Sequence, residues 1–145
     1  IAEMIIDFEL KFDTPTTDHC GSCTRCIEAC PTDAIYEPYK VDATKCISYL
    51  TIEHKGEIEE RYHTNMHNWV FGCDICQDVC PWNSKAKLAQ FLDFYPRNKV
   101  LDAADNHFKS MDEKSFNDLF AGSPVRRTKW EGFKRNLGIV NSNIK

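Results

Sequence analysis

No stretch of this 145-residue sequence approaches the roughly 18 consecutive apolar residues that a bilayer-spanning helix needs, so no transmembrane segment is expected. The opening residues also lack the basic region and small-residue cleavage site of a secretory leader. The first residue is Ile rather than Met, and we read it as the cut edge of a longer protein. Strand patterns are scarce as well. Only Ile6, Phe8, Leu10 and Phe12, alternating with Asp7, Glu9 and Lys11, show the period-two signature of a half-buried strand. One strand needs a sheet to join, and the expected partner lies before residue 1. None of His19, His54, His63, His67 and His107 stands at a spacing that matches the cysteines, so each is expected on the surface or in the core rather than as a ligand. Repeats and low-complexity tracts are missing, apart from one duplicated cysteine motif.

The composition that remains, 42% hydrophobic and 28% charged, is that of a soluble globular chain. Its length suits one ordinary domain, or a small metal-stapled domain with an appended helical segment. The net charge of -4 is unevenly spread. Residues 122–145 hold Arg126, Arg127, Lys129, Lys134, Arg135 and Lys145 against Glu131 alone, a local +5 that leaves -9 for the rest. Such a basic tail could meet phosphate, or it could be an ordinary solvated face. Just before it, Ser110 and Glu113 read as a capping box, and Phe116, Leu119 and Phe120 recur at helical spacing until Gly122 and Pro124. That pattern predicts a helix near 110–121.

The eight cysteines carry the chemistry. Cys20, Cys23, Cys26 and Cys30, followed by Pro31, spell C-x2-C-x2-C-x3-C-P, the ligand run of bacterial two-cluster ferredoxins. In that arrangement three thiolates wrap one 4Fe-4S cubane and the fourth reaches a second one. Cys73, Cys76, Cys80 and Pro81 repeat the ending of the motif, and Cys46 is the sole candidate for its missing first ligand. Residues 47 to 72 are then an insertion. The crossed reading places Cys20, Cys23, Cys26 and Cys80 on one cluster and Cys30, Cys46, Cys73 and Cys76 on the other. Structural zinc and a disulfide framework also suit an even cysteine count, but fit less well. Zinc sites use two separated pairs, and three cysteines at successive x2 spacing would need distant disulfide partners. Ile27, Ala34, Ile35, Ile47, Ile75 and Val79 are expected to sheathe the clusters and limit solvent access.

The wording around the ligands goes further. Asp18-His19-Cys20-Gly21-Ser22-Cys23-Thr24-Arg25-Cys26, Cys46-Ile47-Ser48-Tyr49-Leu50-Thr51-Ile52-Glu53 and Phe71-Gly72-Cys73-Asp74-Ile75-Cys76-Gln77-Asp78-Val79-Cys80-Pro81-Trp82-Asn83 closely resemble epoxyqueuosine reductase. The likeness continues into Gly122-Ser123-Pro124-Val125-Arg126-Arg127 and Arg135-Asn136. The resemblance implies a cobalamin-dependent oxidoreductase of queuosine biosynthesis, in which two 4Fe-4S clusters feed electrons to cobalamin and epoxyqueuosine in tRNA becomes queuosine. It implies a cytoplasmic protein whose partners are tRNA and an external electron donor such as a ferredoxin, flavodoxin or reductase, with no membrane. The family's catalytic aspartate belongs to an N-terminal cobalamin domain, so no catalytic residue is expected in this chain.

Ser48, Asp74 and Ile75 stand in motifs that face cobalamin in the family. Locally, Ser48 could instead cap the helix after Cys46, and Asp74 could accept backbone N–H bonds in the ligand loop. Arg126, Arg127 and Arg135 are the candidates for tRNA contact. The expected fold class is α+β: a two-cluster ferredoxin-like domain with an insertion, followed by a small helical C-terminal segment. The expected division is a remnant strand at 1–17, the two-cluster domain at 18–97 and the helical segment at 98–145. The runner-up reading is the ferredoxin-like electron-transfer domain of another oxidoreductase, including a reductive dehalogenase. A cluster-bearing structural protein of nucleic acid comes third, supported only by the short basic tail.

Overall fold

The computed structural model describes residues 3–95, 100 and 108–143. The expected boundary at 97–98, His107 and Lys145 lie outside the described residues. Two short helices, α1 (Arg25–Ala29) and α3 (Ile75–Asp78), each follow the opening cysteines of one motif and pack against each other. At five and four residues they are too short to persist on helix propensity alone. Their mutual packing supports them. Between them in sequence come a two-stranded antiparallel hairpin and α2 (Ile47–Ile52). The hairpin pairs β1 (Ile35–Glu37) with β2 (Lys40–Val41), Ile35 opposite Val41. Tyr39 closes its turn at φ +63°, in the left-handed region.

The insertion folds back as two 3-10 turns, Glu60–Tyr62 and Thr64–Met66. They place Ile58, Tyr62 and Met66 against Ile47 and Leu50 of α2 and against Ile139, forming one core. Trp69 and Cys73 pack on its edge. A second core joins α4 (Glu113–Leu119) to α5 (Lys129–Asn143) through Met111, Phe116, Phe120 and Phe133. The Phe116 ring centroid lies 5.1 Å from Phe133, 5.3 Å from Phe120 and 5.8 Å from Trp130, spacings at which tilted aromatic pairs attract. These two cores and the small hairpin make the expected α+β class, with helices following the cysteine-rich region.

Two local expectations change. The helix near 110–121 exists but is shorter, and its cap is Asp112 rather than Ser110. The Asp112 carboxylate accepts from the Ser115 N–H at 2.8 Å, because Asp112 has the extended backbone that a cap needs. Residues 6–12 form no strand. Phe8, Leu10 and Phe12 are exposed, and a strand with no neighbour leaves its backbone groups to water. Of the expected sheath, Ala34 and Ile47 are buried, while Ile27, Ile35, Ile75 and Val79 are half-buried.

Candidate metal centre

All eight cysteines are free thiols, gathered on the α1–α3 side of the molecule and its border with the α2 core. Cys20, Cys23, Cys26 and Cys80 line one cavity of about 170 Å³ together with His19, Arg25, Pro81 and Trp82. Cys20 and Cys23 are exposed there. The loop carrying them turns at Gly21, φ +53°, where the Cys23 N–H donates to the Cys20 carbonyl at 3.0 Å. The Trp82 indole roofs one side: its Nε1 donates to the His19 carbonyl at 3.2 Å, and its ring meets the His19 ring edge-on at 5.3 Å.

A polar latch that sequence reading missed secures Cys20. The Asp18 carboxylate accepts from the Cys20 N–H at 2.8 Å and also from the Tyr39 hydroxyl at the hairpin tip. The Tyr39 bond, more than the Cys20 one, holds the Asp18 carboxyl below its usual range, and the same bond pushes the Tyr39 phenol up. An Asp two residues before a ligand is a readable turn signal. Its long-range partner is not.

Cys30, Cys46, Cys73 and Cys76 are the other expected group. Burial pushes the Cys73 thiol up, and the thiols of Cys76, Cys46 and Cys30 act on it in the same direction. Burial also raises Cys76, opposed by Gln77 and reinforced by Cys46 and Cys26. Cys30 behaves differently. Burial raises it, but backbone N–H groups of Ile35, Thr32 and Ala34 outweigh that and bring it below the ordinary thiol range. The Ala34 N–H donates to its sulfur at 3.3 Å.

Among the described residues no three His, Cys, Asp or Glu side chains are grouped as a single ion requires. One tetrahedral zinc draws its sulfurs to about 2.3 Å from the metal. The cavity at Cys20, Cys23, Cys26 and Cys80 joins cysteines of both motifs.

The remaining expected site residues occupy definite places. Ser48 does not cap α2, whose N-cap is Cys46; its hydroxyl donates instead to the Cys73 carbonyl at 3.4 Å. Asp74 is the exposed N-cap residue of α3 but makes no side-chain cap bond, and Ile75 is half-buried beside it. Arg126 is exposed and joins none of the ion pairs among the described residues. Arg127 pairs with Glu53 on the surface. Arg135 donates to the carbonyls of Leu50 at 2.8 Å, His54 at 3.1 Å and Gly56 at 2.5 Å, and burial pulls its pKa down. Asn136, noted in the sequence only as part of the Arg135-Asn136 likeness, is wholly buried; a polar residue between Phe133 and Val140 on the apolar face of α5 was its signal.

Comparison with known proteins adds the relatives. Residues 19–83 match the family described as 4Fe-4S double cluster binding domain. Epoxyqueuosine reductase of Leadbetterella byssophila is 52% identical over 97% of this chain and 45% of its own length. That of Cellulophaga algicola is 48% identical over 97% of this chain and 46% of its own. Among solved structures, epoxyqueuosine reductase from Bacillus subtilis superimposes with a TM-score of 0.83 at 29% identity, covering 92% of this chain and 36% of that one. An epoxyqueuosine reductase crystallised with an epoxyqueuosine-modified tRNA stem loop gives 0.82 at 29% identity, covering 92% of this chain and 35% of that one.

Proposed function

We propose that this chain, which spans a little under half the length of the curated relatives it matches, is the electron-transfer part of an epoxyqueuosine reductase. The reading is an oxidoreductase that converts epoxyqueuosine in tRNA to queuosine. The observation that supports it is the cavity in which Cys20, Cys23 and Cys26 of the first motif meet Cys80 of the second.

Cys20, Cys23, Cys26 and Cys80 would hold one 4Fe-4S cluster, and Cys30, Cys46, Cys73 and Cys76 the other. Two neighbouring clusters supply single-electron conduction when bound. The residues of this chain set its conditions. The Ala34 N–H directed at the Cys30 sulfur favours the thiolate, and Ile47 and Ala34 exclude water from the second set. Ser48, Asp74 and Ile75, beside Cys46 and Cys73, are the residues we assign to cobalamin contact. Ser48 and Ile75 are half-buried and Asp74 is exposed.

We assign tRNA phosphate contact to Arg126 and Arg127, the exposed basic pair of the 3-10 turn Pro124–Thr128. Arg135 has its guanidinium committed to carbonyls and contributes to shape rather than to phosphate binding. A tRNA-modifying role is in keeping with a cytoplasmic protein. Among the described residues no helix is long and apolar enough to cross a membrane.

The test is anaerobic purification with iron and acid-labile sulfide determination and EPR of the reduced protein. The expected result is about eight of each per chain, with spin-coupled signals. Zinc without sulfide would overturn the reading. In the whole reductase, Arg126→Ala with Arg127→Ala is expected to weaken tRNA binding and to lower its salt dependence by about one unit of slope for each phosphate no longer neutralised.

A further inference from the structure

The second cysteine set depends on chain segments far apart in sequence. Cys46 is the N-cap of α2, with its carbonyl accepting from the Leu50 N–H, and Cys73 follows Val70–Gly72 at the end of the insertion. Side chains of α5 tie these segments together. The Asn136 amide nitrogen donates to the Thr51 carbonyl at 2.8 Å and to the Val70 carbonyl at 2.9 Å. Its oxygen accepts from Arg135 at 3.0 Å and 2.9 Å. Arg135 in turn closes the Leu50 carbonyl, left open in the last turn of α2, and the His54 carbonyl just past it. On the other side of the same node, the Thr51 hydroxyl donates to the Ile47 carbonyl at 2.7 Å and accepts from the Gly72 N–H at 3.0 Å. Every donor and acceptor on the Asn136 amide is used, and the residue is 0% exposed.

We infer that Asn136, oriented by Arg135, is a positioning residue for the second cluster: it sets the separation of Cys46 and Cys73 by fixing Thr51 against Val70. The inference rests on the two-cluster reading above. Its chemistry is specific to the carboxamide. A carboxylate of the same size offers no N–H, so the Val70 carbonyl loses this donor, the Thr51 carbonyl keeps only the Thr128 hydroxyl, and both oxygens face a negative charge. No hydrogen bond among the described residues joins Cys20, Cys23, Cys26 or Cys80 to these groups, so the effect is expected on one of the two clusters.

The experiment compares the unsubstituted protein with Asn136→Asp, the milder Arg135→Lys and the control Asn143→Ala, all purified anaerobically. Asn143 lies on the same helix and donates to the His63 carbonyl at 2.7 Å, away from either ligand-bearing segment. Iron, sulfide, EPR and redox titration are read on each. Asn136→Asp is expected to fall from about eight irons toward about four, losing the spin coupling and keeping one cluster signal. Arg135→Lys, which keeps charge but not the planar fork, is expected to keep both clusters while moving the potential of one. Asn143→Ala is expected to lower the melting temperature with both clusters and both potentials unchanged. Equal loss of both clusters in Asn136→Asp, or a shift in Asn143→Ala like that in Arg135→Lys, would overturn the positioning role. Sulfide missing from the unsubstituted protein would overturn the two-cluster reading, and this inference with it.

Discussion

Cys20 and Cys23 sit exposed in a loop before α1, secured by Asp18, Tyr39 and Trp82 from the surface, whereas Cys46 and Cys73 border a core built by Ile47, Leu50, Met66 and Ile139. The first set is held by short-range polar contacts that water can contest. The second is held by apolar packing and by a buried hydrogen-bond node in which each amide group is matched. Solvent access and hydrogen bonding to sulfur both tune cluster potentials. Two clusters with the same kind of ligands are therefore expected to differ in potential and in durability, the first being the easier to lose to oxidants or chelators.

The largest effect should come from removing iron altogether. Chelation under anaerobic conditions is expected to abolish hydrogen-exchange protection in α1, α3 and the loop at 19–24, while α2, α4 and α5 stay protected. Uniform loss across the chain would break the contrast between the two sets. Next comes Phe116→Ala, expected to cost about 3–5 kcal/mol in denaturant titration, because the ring is 1% exposed among three other aromatic rings. A loss below about 1 kcal/mol would mean that the second core is not the support we take it to be.

A smaller loss is expected for Gly132→Ala, although alanine is ordinarily worth about 1 kcal/mol over glycine in a helix. Its new Cβ would lie 2.5 Å from the Thr128 hydroxyl, which is buried and donates to the Thr51 carbonyl at 2.9 Å. A stability gain would show that this node can yield. Tyr39→Phe should leave stability almost untouched yet move the potential of one cluster only, read by EPR-monitored titration. A shift in both would erase the distinction.

The smallest effect concerns acid. The Asp112 carboxyl is lowered chiefly by its hydrogen bonds to Ser115. A lowered folded-state value means that this cap stabilises α4 above the ordinary carboxylate pKa of about 3.9 and is lost as pH falls through the folded value. Circular dichroism of Asp112→Asn should therefore show a weaker dependence on pH below about 4 than the unsubstituted chain.

Sequence alone determined the motifs, since C-x2-C-x2-C-x3-C-P is a local pattern dictated by what one loop can wrap around a cubane. Its incomplete repeat was legible for the same reason, as was the helix around Phe116, Leu119 and Phe120. The cap of that helix was not, because Ser110 and Asp112 are both good capping residues and only the backbone angles choose between them. The alternation at residues 6–12 described a strand with no partner, and pairing is a property of two segments rather than one. Charge placed Arg126, Arg127 and Arg135 in one class, yet only the fold separates an exposed arginine from one spent on the Leu50, His54 and Gly56 carbonyls. Asn136 is the clearest case of what the tertiary structure decided: its partners lie 66 and 85 residues away, and a hydrogen bond across such a distance exists only once burial has brought the segments together and removed the competing water.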